Sequence, residues 1–393
     1  MEAENMKDTY ISDTIKYIGA DDTTLDLFES QYRIPNGVSY NSYVILDEKV
    51  AVMDTIDARK TEEWLANLQE ALAGRTVDYL VISHLEPDHA ANIKRLADLY
   101  PESRLVLSAK AKTMLPQFFE IAQLEDRCEV VKEGDVLELG THKLMFVMAP
   151  MVHWPEVMVE YEMTEKILFS ADGFGKFGAL SAEEDWTDEA RRYFINIVGK
   201  YGVQVQGLLK KAAGLDIQMI CPLHGPILKE NLGFYIDKYL TWSSYTPEEE
   251  GVLVACASIH GNTKAAAEKM VEVLKAQGAK KVVFTDLTRD DMAQAVADAF
   301  RFGRVVLAAA SYDGGVFPPM EDFLHRLAHK NYQKRVVGLI ENGSWAPCAA
   351  RGMKGMLEGM KEISVCENTV SIKSVMKSQD LAKMEELAKE ILA

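Results

Sequence analysis

The sequence predicts a protein of the α/β and α+β classes with two domains, and three observations support this. From about residue 250 onward, short Val-rich segments alternate regularly with helical patterns. The polar segment Thr241–Gly251 separates this region from an earlier part in which strand and helix patterns alternate less regularly. In that earlier part, Val38–Thr55 alternates apolar and polar residues around a polar turn, as an antiparallel hairpin does. We therefore expect one domain in residues 1–249 and a second in residues 250–393.

The second domain is predicted to be a doubly wound sheet of five parallel strands. Short Val-rich strands that alternate with amphipathic helices are typical of a parallel sheet covered on both faces. The strand-like segments are Gly251–Ala257, Lys281–Leu287, Arg304–Ser311, Arg335–Gly343 and about Ser364–Lys373, and each is followed by a helical pattern. Ligands of such sheets bind at the carboxyl ends of the strands, which is where this sequence places its polar loops.

The composition is that of a globular protein. Hydrophobic residues make up 48% of the 393-residue chain and charged residues 26%. No apolar run approaches the roughly 18 residues that a membrane span needs. The five cysteines are scattered and form no Cys-x-x-Cys pair, so we expect reduced thiols rather than a rubredoxin or iron–sulfur module. The N-terminus is acidic and polar and lacks the features of a signal peptide, so a cytoplasmic protein is expected.

The net charge of −17 lies almost entirely in the first domain. Residues 250–393 contain 19 basic and 18 acidic side chains, and the remaining 24 and 42 precede them. A nucleic-acid partner is therefore not expected, because the phosphate backbone requires a basic face.

The most informative segment is Ser83–Ala90, with the sequence SHLEPDHA. It directly follows the apolar run Val77–Ile82, so a buried strand would end on a turn rich in metal ligands. A single residue of this kind usually belongs to an ordinary turn, but four in six positions predict a site for more than one metal ion. Two imidazoles and two carboxylates suit iron or manganese better than structural zinc, which favours thiolates. The four candidates are His84, Glu86, Asp88 and His89.

This order of ligands resembles the His-x-His-x-Asp-His motif of the metallo-β-lactamase superfamily, with Glu86 in place of the second His. The altered motif is similar to that of the flavodiiron proteins. The resemblance implies a metallo-β-lactamase-like αββα sandwich for the first domain, with further ligands downstream. His153, Asp172 and His224 follow three apolar, strand-like runs and complete the expected set.

The resemblance also implies how these residues are shared between two non-haem irons. One iron would be bound by His84, Glu86 and His153, the other by Asp88, His89 and His224, with Asp172 as the bridge. The position of His89 does not bind iron in every member of the family, so its role stays open.

Three loops of the second domain resemble the FMN-binding loops of flavodoxins, and no second mononucleotide half follows that would indicate FAD. The first, Ser258–Lys264, matches the pattern [ST]-x-x-G-x-T and offers amides at a helix N-terminus, which suits a phosphate. Its alternative interpretation is a plain turn with Thr263 as the helix cap. Trp345, or else Tyr312, is the candidate for stacking on the ring. The predicted FMN contacts are Ser258, Ile259, His260, Gly261, Asn262, Thr263, Ser311, Tyr312, Asp313, Asn342, Gly343, Ser344 and Trp345.

The resemblance covers the whole chain and implies an oxidoreductase that reduces O2 to water, NO to N2O, or both. FMN would relay electrons from an external donor such as rubredoxin or a reduced deazaflavin, within a head-to-tail homodimer or a dimer of dimers. A zinc hydrolase with a fused flavin domain is the alternative, although hydrolytic relatives normally have His where this chain has Glu86. A pure electron-transfer protein with a vestigial metal site is disfavoured by the complete ligand set. The preference between O2 and NO and the identity of the donor stay open.

Overall fold

The computed structural model describes residues 9–393, and the first eight residues of the polar N-terminus lie outside this range. The described chain divides into two compact units. One contains the described residues up to Phe194 together with Val203–Leu240, and the other contains Ile195–Gly202 and Thr241–Ala393. The predicted domain boundary between residues 249 and 250 stays a prediction. Across residues 9–393, no helix is both long enough and apolar enough to cross a membrane.

The first unit is built on two β-sheets. Its strands are β1 (Ile15–Tyr17), β2 (Ala20–Asp22), β3 (Leu27–Phe28), β4 (Tyr32–Arg33), β5 (Val38–Tyr40), β6 (Tyr43–Leu46), β7 (Val50–Met53), β8 (Tyr79–Ile82), β9 (Arg104–Ser108), β10 (Cys128–Val131), β11 (Val136–Glu138), β12 (Lys143–Met148), β13 (Met158–Glu162), β14 (Ile167–Phe169) and β15 (Met219–Cys221). Within the described chain, one large sheet has the order β1-β6-β7-β8-β9-β10 and the other the order β11-β12-β13-β14-β15, while β2–β5 and β3–β4 form small two-stranded sheets.

Helices follow these strands in the expected alternation. Those up to residue 243 are α1 (Thr61–Leu72), α2 (Pro87–Ala90), α3 (Ile93–Leu99), α4 (Ala109–Met114), α5 (Leu124–Arg127), α6 (Trp186–Tyr193), α7 (Gly202–Ala212) and α8 (Leu232–Ser243). Short 3-10 turns cover Ala58–Lys60, Leu115–Gln117 and Gly199–Tyr201, and Phe194–Val198 is a π-helix.

The two sheets of the first unit pack face to face through one hydrophobic core. Ile45, Met53 and Val81 contribute to it from the first sheet, and Phe146 and Phe169 contribute from the second. All five are at most 3% exposed, and each such side chain stabilises the fold by about 1.5–3 kcal/mol. The predicted hairpin is present as the antiparallel pair β6–β7, in which Leu46 lies opposite Val50. This is the sheet-on-sheet arrangement that the predicted αββα sandwich requires.

The second unit contains the predicted doubly wound sheet. Its strands are β16 (Glu249–Ala257), β17 (Val282–Asp286), β18 (Phe302–Tyr312), β19 (Gly315–Val316), β20 (Arg335–Asn342) and β21 (Ile363–Ile372). Its helices are α9 (Asn262–Ala276), α10 (Met292–Arg301), α11 (Pro318–His329), α12 (Ala349–Leu357) and α13 (Ser378–Leu392). The order β17-β16-β18-β20-β21, with parallel neighbours, confirms the flavodoxin-like fold predicted from the sequence.

The short strand β19 was not predicted. It folds back antiparallel on the end of β18, so that Tyr312 pairs with Gly315. The two residues between them, Asp313 and Gly314, both have positive φ angles, of 48° and 75°. Asp-Gly is a strong signal for a two-residue hairpin turn, so this feature could have been found in the sequence.

Candidate metal centre and flavin pocket

The strand β8 delivers the first group of candidate metal ligands, as its apolar sequence predicts. It ends at Ile82, and His84 lies two residues beyond it. The short helix α2 then starts with Pro87, a residue favoured in the first turn, and carries Asp88 and His89. The backbone N–H of Ser83 donates to Asp54 Oδ1 at 2.8 Å, which fixes the turn between strand and ligands.

The downstream candidates come from the second sheet. Asp172 lies three residues after β14 and His224 three residues after β15. Because these two strands are parallel neighbours, their carboxyl ends bring both ligands to the same edge of the sheet. His153 differs from the prediction, because β12 ends at Met148 and His153 lies farther along, in the loop that leads to β13.

The structure brings all seven predicted ligands together in two clusters. In each cluster the potential ligand atoms lie within 4.8 Å of one another; the clusters are His84, Glu86, His153 and Asp172, and Asp88, His89 and His224. Asp172 reaches both of them. Its Oδ2 lies 3.1 Å from His153 Nε2, and its Oδ1 lies 3.1 Å from His89 Nε2. One carboxylate oxygen faces each cluster, which is the geometry of a bridging ligand.

Unpaired buried atoms show that these residues fit metal ions. Within residues 9–393, both carboxylate oxygens of Asp172 and of Asp88 are buried without a well-formed hydrogen bond, and the near neighbours of Asp172 are ring nitrogens of the same clusters. The same holds for the Nε2 atoms of His89, His153 and His224 within that range. Most buried polar atoms in proteins are hydrogen-bonded, so a whole set of unpaired nitrogen and oxygen atoms indicates a ligand shell for cations. The mixed imidazole and carboxylate donors suit iron or manganese.

Two of the histidines are oriented by hydrogen bonds from the opposite side of the ring. His84 Nδ1 lies 2.8 Å from Glu156 Oε1, and His224 Nδ1 lies 2.7 Å from the Ser39 carbonyl oxygen. Such contacts fix the ring and direct Nε2 toward the other members of the cluster. His89 differs, because in the described chain its Nδ1 has no hydrogen-bond partner, while its Nε2 faces Asp172 Oδ1 at 3.1 Å.

The sequence analysis missed two of the residues that support the ligands. Glu156 is 1% exposed and also accepts the backbone N–H of Leu85 at 2.9 Å. Asp54, which follows β7, is 4% exposed. No spacing links either residue to the ligand motif, although an acidic residue directly after the apolar strand β7 was a usable signal for Asp54.

The buried carboxylates and imidazoles of the clusters shift one another's pKa values. Burial by itself raises the pKa of Asp172, but the positive charges of neighbouring imidazoles, first of all His89, lower it well below its ordinary value. Burial likewise opposes protonation of His153, yet its contacts with Asp172 and Glu86 raise its pKa to about 9. Metal binding therefore has to displace protons from these imidazoles, and its affinity decreases as the pH falls.

The candidate FMN site is a cavity of about 730 Å³ in the second unit. Eleven of the thirteen predicted contacts line it: Ile259, His260, Asn262, Thr263, Ser311, Tyr312, Asp313, Asn342, Gly343, Ser344 and Trp345. The other two, Ser258 and Gly261, shape the first loop instead, with the Gly261 N–H donating to Ser258 Oγ at 3.0 Å. The sequence analysis missed the remaining lining residues, Ala310, Gly314, Ala346, Cys348, Arg351 and Ser374.

The first loop of this cavity leaves a helix N-terminus free for an anion. The cap position of α9 is taken by Gly261, with a φ angle of 93°, and no side chain caps the first turn in the described structure. Thr263 is a residue of the helix and not its cap, so the cap that the alternative interpretation predicted is wrong. Uncapped amides at a helix start suit a phosphate group. Lys264 is engaged elsewhere, because its Nζ lies 3.1 Å from Asp286 Oδ2.

The other two loops each place a large, solvent-exposed aromatic side chain at the cavity. Trp345 is 90% exposed and Tyr312 is 46% exposed. An indole left in water is available for stacking on a planar ring. The loops are also tied to each other, because Ser311 Oγ accepts the backbone N–H groups of Cys348 and Ala349 at 2.8 and 3.1 Å.

Comparison with known proteins identifies relatives in sequence and in fold. A family model described as ODP family beta lactamase matches residues 38–225. The nitric oxide reductase of Moorella thermoacetica is 26% identical over 98% of each chain. The rubredoxin oxygen:oxidoreductase structure from Desulfovibrio gigas is 25% identical and superposes with a TM-score of 0.90, covering 98% of this chain and 97% of that one. The flavodiiron protein structure from Giardia intestinalis, at 22% identity, has the same fold, with a TM-score of 0.88 over 98% of this chain and 97% of its own. The chain is thus similar in sequence and fold to these two oxidoreductases, and it has the fold of the flavodiiron protein structure.

Proposed function

We propose that this protein is an oxidoreductase that reduces O2 to water, NO to N2O, or both. The reaction takes place at two non-haem irons, and FMN relays the electrons. The observation that carries the proposal is Asp172, whose two carboxylate oxygens each lie 3.1 Å from a histidine of a different ligand cluster. The names of the relatives, a nitric oxide reductase and a rubredoxin-oxygen oxidoreductase, support both substrates.

Each residue has a separate task in this proposal. Iron supplies the electrons for the reduction when it is bound. Glu86 and Asp88 would hold iron through carboxylate oxygens, which are hard ligands suited to such an ion. Asp172 would contribute one oxygen to each cluster. The histidines would complete the two sets, and Glu156 and the Ser39 carbonyl oxygen orient His84 and His224 for that task.

The same architecture disfavours a zinc hydrolase. A hydrolase needs no flavin, yet the second unit has a cavity of about 730 Å³ with an uncapped helix start and exposed aromatic side chains. Glu86 also replaces the imidazole that hydrolytic relatives use for zinc. No feature of the described residues favours hydrolysis over electron transfer.

We also propose that the electrons come from an external donor. The chain has no Cys-x-x-Cys pair with which to hold a rubredoxin iron of its own. A separate rubredoxin is the first candidate, because rubredoxin is named in a relative that is 26% identical over 98% of this chain. A reduced deazaflavin is the second. A cytoplasmic location remains part of the same proposal.

Metal analysis and turnover measurements test the proposed function together. We expect about two irons and one FMN per chain, and consumption of O2 or NO when the flavin is reduced. Parallel assays with each gas under the same reduced donor measure the preference between them. Zinc in place of iron, with no consumption of either gas, would contradict the proposal.

We further propose a head-to-tail homodimer in which FMN of one subunit serves the irons of the other, as the resemblance to the family implies. Two inactive variants test this: one without iron (His84→Ala with His224→Ala) and one without FMN (Asn262→Asp). Mixing them under conditions that exchange subunits should restore partial activity, because a mixed dimer contains one complete pair of sites. Unmixed variants, treated in the same way, are the control. If verified mixed dimers stay inactive, electrons pass within one chain and the arrangement is wrong.

A further inference from the structure

A second large cavity, of about 700 Å³, lies in the first unit outside the ligand clusters. One wall is the second sheet, through Val147, Val159 and Leu168. The opposite wall comes from α7 and α8, through residues such as Leu208 and Ile236. Most of the other lining side chains are apolar as well. Neither the metal ligands nor the FMN cavity accounts for this space.

The cavity shares a wall with the metal centre. Ser170, Gly173 and Phe174 all line it, and they flank Asp172, whose carboxylate lies among the metal ligands. Val152, which directly precedes His153, lines the cavity too. Two ligand-bearing loops thus have the metal centre on one side and this apolar space on the other.

Aromatic packing holds the shared wall in place. The Phe174 ring stacks on the Tyr239 ring with 4.3 Å between centroids, and both residues line the cavity. The Phe174 N–H donates to Tyr239 Oη at 2.5 Å, and its carbonyl oxygen accepts from Trp186 Nε1 at 3.3 Å. The wall next to Asp172 is therefore an ordered aromatic surface.

The lining determines which molecules the cavity accepts. Apart from Gln206, Lys210 and Tyr239, the lining offers few partners to a charged or strongly polar ligand, and hydration lost without compensation costs several kcal/mol. Ser170, one of the few polar lining residues, already donates its hydroxyl to the Gly173 carbonyl oxygen at 2.6 Å. Enclosed apolar cavities bind small apolar molecules such as xenon, and this cavity has a similar lining although it is partly open, with Leu240 40% exposed.

We propose that this cavity binds small, uncharged, apolar molecules and holds the diatomic substrate beside the Asp172 wall. The binding of apolar molecules follows from the lining alone, whereas the identity of the natural occupant rests on the proposed function. O2 and NO are uncharged and dissolve better in apolar surroundings than in water. A reservoir behind a ligand loop would raise their concentration next to the irons.

Xenon is the probe for the cavity, since it is apolar and close to a diatomic molecule in size. Crystals of the iron- and FMN-loaded protein under xenon pressure should show xenon between the second sheet and α7. A cavity without xenon would overturn the proposal, and so would an extended chain of density from a copurified acyl lipid. This measurement requires no turnover, so its failure is distinguishable from failure of the proposed function.

A cavity-filling variant then connects xenon binding to the reaction. Ala212→Phe places a ring inside the cavity, whereas Gln204→Phe changes an exposed residue of the same helix that does not line it. We expect Ala212→Phe to lose xenon and to raise KM for the diatomic substrate severalfold, with kcat and the iron and FMN content unchanged. Gln204→Phe should match the unaltered protein. Loss of xenon with an unchanged KM would show that the cavity does not serve the reaction and would overturn the substrate part.

Should Ala212→Phe fail to fold, Leu208→Phe fills the same space from the same helix and is measured in its place. The xenon result for the unaltered protein remains decisive in either case.

Discussion

Replacing Asp172 with Ala is expected to remove both irons and to abolish turnover. The side chain is the only described residue with an oxygen facing each ligand cluster, so its loss takes a ligand from both metal positions at once. It also leaves His84, His89 and His153 without the carboxylate that lies between them. Removing one partner of a buried charge cluster costs about 3–5 kcal/mol, so the metal-free variant should unfold at a lower temperature. Iron content per chain and thermal unfolding measure the two effects.

Asp98→Ala is the matched control for this experiment. Asp98 is an exposed carboxylate whose ion pair with Lys94, at 2.7 Å, lies on the surface. Such pairs contribute at most about 1 kcal/mol, so iron content and turnover should stay at the level of the unaltered protein. Two irons and normal turnover in Asp172→Ala would show that the two clusters do not share this ligand.

Replacing Asn262 with Asp is expected to abolish FMN binding at micromolar protein concentration while leaving the fold intact. Asn262 lines the cavity and is the first residue of α9. A carboxylate there repels the phosphate. Two charges about 4 Å apart at an effective dielectric constant of about 20 interact by about 4 kcal/mol, or about a thousandfold in affinity. An acidic residue at a helix start stabilises the helix itself, so the thermal stability should not decrease.

The uncharged variant Asn262→Ser also removes the side-chain amide, so comparing it with Asn262→Asp isolates the effect of the negative charge on FMN binding. It should retain most of the flavin, whereas Asn262→Asp should be isolated without it. Flavin absorbance per chain and titration with free FMN provide the measurement. Equal FMN affinity in Asn262→Asp and Asn262→Ser would place the phosphate elsewhere in the cavity.

The candidate metal ligands could be identified in the sequence because their signal is local. Four of them follow one buried strand within six positions, and the helix α2 preserves the spacing on which the prediction relied. The residues that orient them gave no such signal. Glu156 reaches His84 from a different loop, and Ser39 contributes only a carbonyl oxygen, which any residue type could supply. Contacts of this kind depend on how the two sheets pack, and no short segment of the sequence predicts that packing.

In the candidate flavin cavity too, residues within sequence motifs could be predicted, whereas residues brought in by folding could not. The predicted loops follow β16, β18 and β20, whose carboxyl ends meet because the strands are parallel neighbours. Arg351 and Ser374 were missed because α12 and the segment after β21 approach the cavity only in the folded unit. His153 lies within its cluster although β12 ends five residues before it, since the intervening loop carries it there.

The unpaired Nδ1 of His89 bears on how firmly each histidine of the proposed metal centre is oriented. Rotating His84 would break its contact with Glu156, and rotating His224 would break its contact with the Ser39 carbonyl. His89 has no such contact at Nδ1 in the described structure; its Nε2 faces Asp172 Oδ1 at 3.1 Å, and its ring packs against His224 with 4.6 Å between ring centroids. In the proposed centre, the orientation of His89 would therefore depend on the metal, on Asp172 and on packing, whereas His84 and His224 are also held from the opposite side of the ring.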